Sequence, residues 1–460
     1  MIRRRAYTVV LLVLALCIST SSIVPAASVQ AADNRAAETQ APDAEASQQL
    51  RSAQRTQLAT RGSLRLLSGG SRCSDSRYVA YRRSDREPEI VDQWYVVSQL
   101  WADAALLSVN PDQLRERANI RLPRNAEFDE RDARCHLDKG FVFLDRLWDD
   151  DEGGYYPRSN ANGTKISRHS QYADDNALAG LALLAAADAV PAGKQRDYYV
   201  NAALQEAEYL AESGLWDDTF GGGFWWSTGR GDTDEGKPAQ SNALAALFFA
   251  RLFVETGDHT FRGNALSTLA WLDSALFDEG RNLYRWSVRY ERPADRVGSP
   301  IRSERYFNYD QAIAIEAQLL VAGIDGDGGR VARARAIGDA LHIAFWNGAK
   351  GGYNLEAGVD QVYTSYAAWA SFGHVALYRA DGDSRWLGMA RANAAALSAN
   401  LAEPDGGYAL RQFRCADGRA PGCSGRTGWA VDRTRDTAAQ AWAQHLQTLL
   451  ARPVTSPRPG

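Results

Sequence analysis

The sequence predicts an all-α fold, an (α/α)6 toroid of helix pairs with short β-hairpin loops at one mouth. Three observations predict it. A unit of helix, break, helix and loop recurs along the chain. The first helix of each unit is apolar nearly all round, and the second keeps one polar face, as in "RDYYVNAALQEAEYLAES". Each unit ends in a loop of the same make-up, with an acidic or polar turn, glycines, and then an aromatic strand-like segment. Buried helices sheathed by amphipathic ones fit a closed ring. The alternative is an open superhelix of the TPR or HEAT kind, whose helices are all half-exposed.

Taken in order, residues 1–31 read as an export signal. "MIRRR" is a basic start, and Val9 to Ile18 is an apolar run too short to span a bilayer comfortably. "PAAS" (Pro25 to Ser28) and "VQA" (Val29 to Ala31) offer cleavage points, and the alternative is an uncleaved anchor. A secreted or cell-surface location is therefore expected, with no stable membrane span once the signal is removed. Residues 32–88 are rich in Ala, Gln, Ser and charge and read as a low-complexity linker holding at most one weak helix, about Ala46 to Ala59. Residues 89–452 are expected to form the toroid as one catalytic domain, and 453–460 a tail.

Within the toroid the first helices start near Pro88, Tyr172, Gln240, Tyr309, Thr364 and Asp432. The second helices start near Arg131, Arg196, His259, Gly329 and Ser384, and the linker helix is the candidate for the sixth. The loops begin at Leu147, Leu215, Leu276, Phe345 and Glu403, where glycines supply turn conformations and the following residues suit a hairpin. Each loop runs from an outer helix's end to an inner helix's start. All of them gather at one mouth, whose floor is ringed by helix N-termini that favour carboxylates.

Composition narrows the function. The net charge is -4 and no Lys/Arg stretch interleaves with aromatics, so a nucleic-acid partner is not expected. Thirteen Trp and 19 Tyr are many for 460 residues, and flat rings cover the apolar faces of sugars as well as filling cores. Once the signal and Cys17 are gone, four cysteines remain: Cys73, Cys135, Cys415 and Cys423. In an exported chain they imply disulfides. A bridge across "ADGRAPG", Cys415–Cys423, is expected first and would leave Cys73–Cys135, among three possible connectivities. No His or Cys spacing suits a metal, "DGDGG" (Asp325 to Gly329) reads as a turn, and no cofactor is expected.

Polar residues cluster at the inner-helix starts, above all Asp174 and Asp175 in "YADDNALAGLALLAA". Hydrolysing a glycosidic bond takes one ionised carboxylate beside the anomeric carbon and one protonated carboxyl beside the leaving oxygen. Neighbours on a helix's first turn splay apart, and a separation of roughly 5 Å is the one retention requires. An Asp pair is also ordinary capping chemistry worth about 1 kcal/mol. Asp310 holds the equivalent place farther round the ring, as a third carboxylate or a plain cap. Of Trp225 and Trp226 in "GGGFWWSTG", alternation along a strand turns one toward the cavity as a sugar platform. Asn242, Tyr309, Gln311 and Tyr366 stand at inner-helix starts around the same mouth.

Three segments together resemble glycoside hydrolase family 76, the endo-α-1,6-mannanases and related mannan-processing enzymes. They are "YADDNALAGLALLAA", "GGGFWWSTGRGDTDEGKPAQSNALAALFFARLFVETGD" and "FNYDQAIAIEAQLLVAG", in the family's order and within a similarity running from about Glu89 to Leu450. The resemblance implies an (α/α)6 fold of the six-hairpin glycosidase type, retention, Asp174 as nucleophile and Asp175 as general acid/base, and it puts Trp225, Trp226, Asn242, Tyr309 and Gln311 at positions that resemble cleft-lining ones; Asp310 and Tyr366 complete the candidate substrate-binding set. Four positions depart from the family pattern: Ala173 and Leu178 flank the acids, and Asp310 and Ala312 stand where Asn and Gly are usual. These departures touch the cleft wall, not the acids.

The expected function is thus an exported retaining hydrolase or transglycosylase acting on an α-1,6-linked mannan-type poly- or oligosaccharide as a monomer. Two alternatives stand beside it. One is another toroid sugar enzyme of the N-acylglucosamine epimerase type, whose chemistry favours His bases that no inner-helix start provides. The other is a non-catalytic glycan-binding protein on the same fold.

Overall fold

A computed structural model of the chain describes residues 45–60, 90–109, 130–160, 164, 170–230, 236–293, 296–415, 423, 425 and 427–452. The expected signal (1–31) and tail (453–460) lie outside them, as does Cys73.

Twelve helices run through the described residues. In chain order they are α1 (45–60), α2 (Gln93–Leu107), α3 (Glu130–Leu144), α4 (Ala173–Asp188), α5 (Lys194–Glu212) and α6 (Ala239–Thr256). Then follow α7 (His259–Leu276), α8 (Asn308–Asp325), α9 (Gly328–Phe345), α10 (Thr364–Asp381), α11 (Ser384–Leu401) and α12 (Thr437–Ala451). The even-numbered helices form the inner ring. α2 packs on α4, α4 on α6, α6 on α8, α8 on α10, α10 on α12, and α12 returns to α2. That closure makes the fold an (α/α)6 toroid and excludes an open superhelix.

Outer helices α3, α5, α7, α9 and α11 each pack on the inner helix before them. The sixth outer helix is α1. Its Thr56 hydroxyl bonds the Gly406 carbonyl (2.9 Å) and meets Gln447 of α12 (3.3 Å), and its Gln57 amide donates to Asp103 of α2 (2.7 Å). Arg391 of α11 pairs with Glu45 at 2.8 Å. A segment that reads as weak helix in isolation is thus held by tertiary contacts.

Sequence explains the inner layer. Ala and Gly let inner helices approach closely: on α4, a Cβ at Gly180 would fall 2.2 Å from the Phe248 ring of α6. The breaks are equally regular. Gly257, Gly326 and Gly382 end α6, α8 and α10 in the left-handed conformation, at φ 71°, 75° and 73°. The next residue, Asp258, Asp327 or Asp383, caps the following outer helix through backbone N–H groups at 2.8, 2.8 and 3.0 Å. Each such cap contributes about 1 kcal/mol. "DGDGG" is this same Gly-Asp break.

The strands are short and all pair antiparallel. They are β1 (Ile90–Asp92), β2 (Arg158–Asn160), β3 (Lys237–Pro238), β4 (Phe277–Asp278) and β5 (Leu283–Tyr284), then β6 (Ser287–Arg292), β7 (Val297–Arg302), β8 (Gln361–Tyr363), β9 (Arg411–Cys415) and β10 (Gly428–Asp432). They form sheets β1-β2, β3-β6-β7, β4-β5 and β8-β9-β10. The five described outer-to-inner loops open with a bridging pair: Trp148 with Tyr155, Trp216 with Phe224, Phe277 with Tyr284, Trp346 with Tyr353, Ala402 with Tyr408.

Two inner helices begin later than the sequence suggests. β1 pairs with β2, Asp92 opposite Arg158, so α2 starts at Gln93 and not near Pro88. β10 pairs with β9, so α12 starts at Thr437 and not near Asp432, with Asp436 capping Ala439 N–H at 2.6 Å. Cys415 and Cys423 are disulfide-bonded, Cα–Cα 5.8 Å, and Cys135 is also in a disulfide. No helix of the described residues is long and apolar enough to cross a membrane.

Candidate active site

The mouth is built on side-chain amides. Four residues beyond the N-cap of four inner helices stand Asn176, Asn242, Gln311 and Gln440. Each amide oxygen accepts the backbone N–H of the loop aromatic, Tyr155, Phe224, Tyr284 or Tyr408, at 2.6–2.7 Å. Each amide nitrogen donates back to the N-cap carbonyl at 2.7–3.2 Å. The side chain thus stands in for a neighbouring strand and fastens each loop to a helix start.

On this scaffold α4 presents the acid pair. Its N-cap, Tyr172, is extended and offers no side-chain cap. The Ala173 N–H donates instead to the carbonyl of Trp226 at 2.8 Å, which locks the Gly-rich loop to the first turn. Asp174 is buried, and its Oδ2 accepts the Trp226 indole N–H at 3.1 Å. The Trp226 ring lies 4.7 Å from that of Tyr172. Tyr309 of α8 and Tyr366 of α10, rings 4.9 Å apart, face the same carboxylate. Burial pushes both phenols up, and the Asp174 charge adds to it.

Asp175 faces a different wall. Its carboxyl is raised well above the usual range, first by burial, then by the charges of Asp174 and Asp92, with the Arg158 guanidinium opposing. Arg158 pairs with Asp92 at 3.4 Å, and Gln93 donates to the Asp175 carbonyl at 3.1 Å. The two neighbours therefore stand in different surroundings. Asp174 has an N–H donor, which favours its anion, while Asp175 keeps its proton to higher pH. Divergent environments of this kind mark acid/base pairs.

The remaining candidates divide. Tyr309, Tyr366 and Asp310 gather with Asp174. Asp310 is wholly buried and raised by burial, with Asp174 adding to it. Three expected cleft residues have their polar atoms engaged within the fold. Asn242 and Gln311 are loop clamps, wholly buried, with both ends of their amides occupied by backbone. Trp225 is a strut under the Gly-rich loop. It is 3% exposed, its indole bonds Asp217 at 2.8 Å, and Lys237 Nζ stands 5.1 Å from its ring. Lys237 itself is buried and donates to Asp217, Thr219 and Gly222. Against burial, Lys237 and Trp225 hold the Asp217 carboxyl down to about 2. Alternation thus turns Trp226 toward the acids and Trp225 into the loop.

Asp92, Gln93, Tyr95 and Arg158 escaped sequence reasoning. The available signal was Asp92 as an N-cap before "QWYVV", obscured by placing the helix start at Pro88. Tyr95 acts on Tyr366 and so shares the floor. No group of His, Cys, Asp and Glu among the described residues could hold a metal ion.

A closed six-pair ring with ionisable groups converging on its inner-helix starts defines the class of (α/α)6 toroids. Residues 147–326 match the model of Glycosyl hydrolase family 76, so the resemblance read from the sequence is found over that segment. No curated protein sequence matches it. Among solved structures, it is similar to a family 76 glycoside hydrolase from a bovine Bacteroides thetaiotaomicron strain. The identity is 18%, the TM-score 0.64, and 87% of this chain and 77% of that one are covered. It is also similar to an α-1,6-mannanase of the family from Salegentibacter sp. HEL1_6, at 17% identity and TM-score 0.59, covering 88% and 99%. An inactive variant of that mannanase with two adjacent aspartates replaced is in complex with α-1,6-mannotetrose. A sugar epimerase from a ruminal bacterium shares the fold as well, at 11% identity and TM-score 0.60, covering 82% and 92%.

Proposed function

We propose that the chain is an exported retaining glycoside hydrolase, or transglycosylase, acting on α-1,6-linked mannan-type polysaccharide. The observation that carries this reading is the acid pair at the start of α4, with Asp174 held by Trp226 and Asp175 keeping its proton. Asp174 attacks the anomeric carbon and forms a glycosyl ester. Asp175 gives its proton to the departing glycosidic oxygen. The Asp175 carboxylate then takes a proton from water, or from an acceptor sugar hydroxyl, whose oxygen displaces Asp174 and restores the starting anomeric configuration. The adjacent aspartates replaced in the inactive Salegentibacter mannanase support the assignment and the α-1,6-mannose linkage. The basic, then apolar N-terminus supports export, which N-terminal sequencing of the mature protein tests.

The test is turnover. Purified wild-type protein is incubated with α-1,6-mannan and a panel of other α-linked mannans and glucans, and products are read by mass spectrometry. Asp174→Asn and Asp175→Asn are each expected to lower turnover by about 10²–10⁴-fold. Unchanged activity in both variants excludes the reading.

The epimerase of similar fold motivates a second reading. It needs a base of the His type at the floor. The two His on inner helices, His374 and His445, are deep in the core, and burial pushes both down to about 3. His374 stacks on Trp386, rings 5.9 Å apart. Both behave as core residues, which favours hydrolysis.

A further inference from the structure

Asp310 is a buried carboxyl of the floor that the reaction above does not use. It stands three residues beyond the N-cap of α8, the register that Asp175 occupies on α4. α6 lies between those two helices and packs on both. Asp310 is 0% exposed, and neither carboxyl oxygen makes a hydrogen bond of normal geometry. The donor turned toward it is the backbone N–H of Gln240, in the first turn of α6, where helix N–H groups have no partner within their own helix. The titratable groups around it are Asp174 and Tyr309, and no ammonium or guanidinium among the described residues acts on it. A buried carboxylate without cation or hydrogen bonds is the costliest state such a side chain can take.

We propose that Asp310 is a positioning residue for Asp174, a third carboxyl of the floor that acts on the acid pair without touching the sugar. It does so as the neutral acid. Its C=O faces the α6 N-terminus and its O–H is left to donate toward the floor. The polar but uncharged group supports the anion of Asp174, whereas a second anion would oppose it. Asp310 thereby decides which carboxyl of the floor ionises first. The inference rests on the roles proposed for Asp174 and Asp175, but its test does not depend on turnover.

The experiment is infrared titration of the substrate-free protein. The spectrum of Asp310→Asn subtracted from wild type isolates Asp310, and that of Asp174→Asn isolates Asp174. At pH 7 the Asp310 difference is expected to show a protonated carboxyl band. A carboxylate band there overturns the proposal by itself. The Asp174 midpoint is then measured in two backgrounds. Asp310→Asn keeps an acceptor and a donor and is expected to leave it in place. Asp310→Leu removes both and is expected to raise it by about one pH unit. In kinetics the Leu variant is expected to lose about tenfold in kcat, with KM within about twofold, and the Asn variant to stay near wild type. A folded Leu variant with an unmoved midpoint overturns the proposal. If Leu does not fold, the band at pH 7 decides. Absence of mannan turnover in the wild type would sink the functional reading while leaving the infrared result decisive for Asp310.

Discussion

The indole N–H of Trp226 donates to Oδ2 of Asp174 at 3.1 Å, tying the Gly-rich loop to the acid proposed to attack. A hydrogen bond to a charged group is worth about 1.5–3 kcal/mol. Trp226→Phe keeps the ring and deletes the donor. Turnover on α-1,6-mannan is expected to fall by about 10–100-fold, which is that energy expressed as a rate. The acid limb of kcat should move to higher pH, because Asp174 ionises less readily. A pH–rate profile of the variant checks both.

Arg158 lowers the proton affinity of Asp175 and Asp92 raises it. The proposed acid must be protonated, so activity is lost as pH rises through its ionisation. Arg158→Gln should therefore carry the alkaline limb of kcat/KM upward. Asp92→Asn, which still caps α2, should carry it downward. Movement of both limbs in the same direction would contradict the assignment of Asp175.

The amide clamps are separable from chemistry. Gln440 sits on α12, away from the acids, and holds both backbone groups of Tyr408. Gln440→Leu leaves those buried groups unpaired and is expected to cost about 1–3 kcal/mol of stability. Denaturant unfolding measures the loss, and KM of the folded fraction should not change.

Glu206 of α5 is wholly buried with no hydrogen bond to either carboxyl oxygen, and burial raises it well above 4.5. In the unfolded chain it ionises near 4.5, while in the folded chain it keeps its proton to higher pH. Between those two points the folded state binds more protons, so stability falls as pH rises, by about 1.4 kcal/mol per unit. Glu206→Gln should thus be more stable than wild type at pH 7, with the difference vanishing near pH 4. Paired melting curves at the two pH values test it.

The ring was legible because its signals are local. Gly-Asp breaks, Ala-rich inner helices and Gly-aromatic loops each carry their conformation within a few residues. The place of Asp174 and Asp175 at a helix start was legible for the same reason, since a first helical turn can be read from the residues that follow it. What escaped was decided by pairing across distance. Pro88 and Asp432 read as helix starts until partner strands claimed β1 and β10. Asn242 and Gln311 read as cleft residues because their amides' destination, the backbone of a loop 18 or 27 residues earlier, leaves no mark in the pattern. Trp225 and Trp226 are alike on paper, and only Lys237 and Asp217 determine which is buried.

The brace between Thr56 and Gln447 joins residues 391 apart. On the ribosome, the outer strut that seals the ring emerges first and its seat emerges last. Every other pair meets its partner soon after synthesis, but this one waits for nearly the whole chain. Completion is therefore tied to the farthest contact, the kind that is slowest to form. A chain cut short before its final helix would leave both the strut and the first inner helix with bare apolar flanks, a substrate for chaperones and proteases and not a five-sixths enzyme.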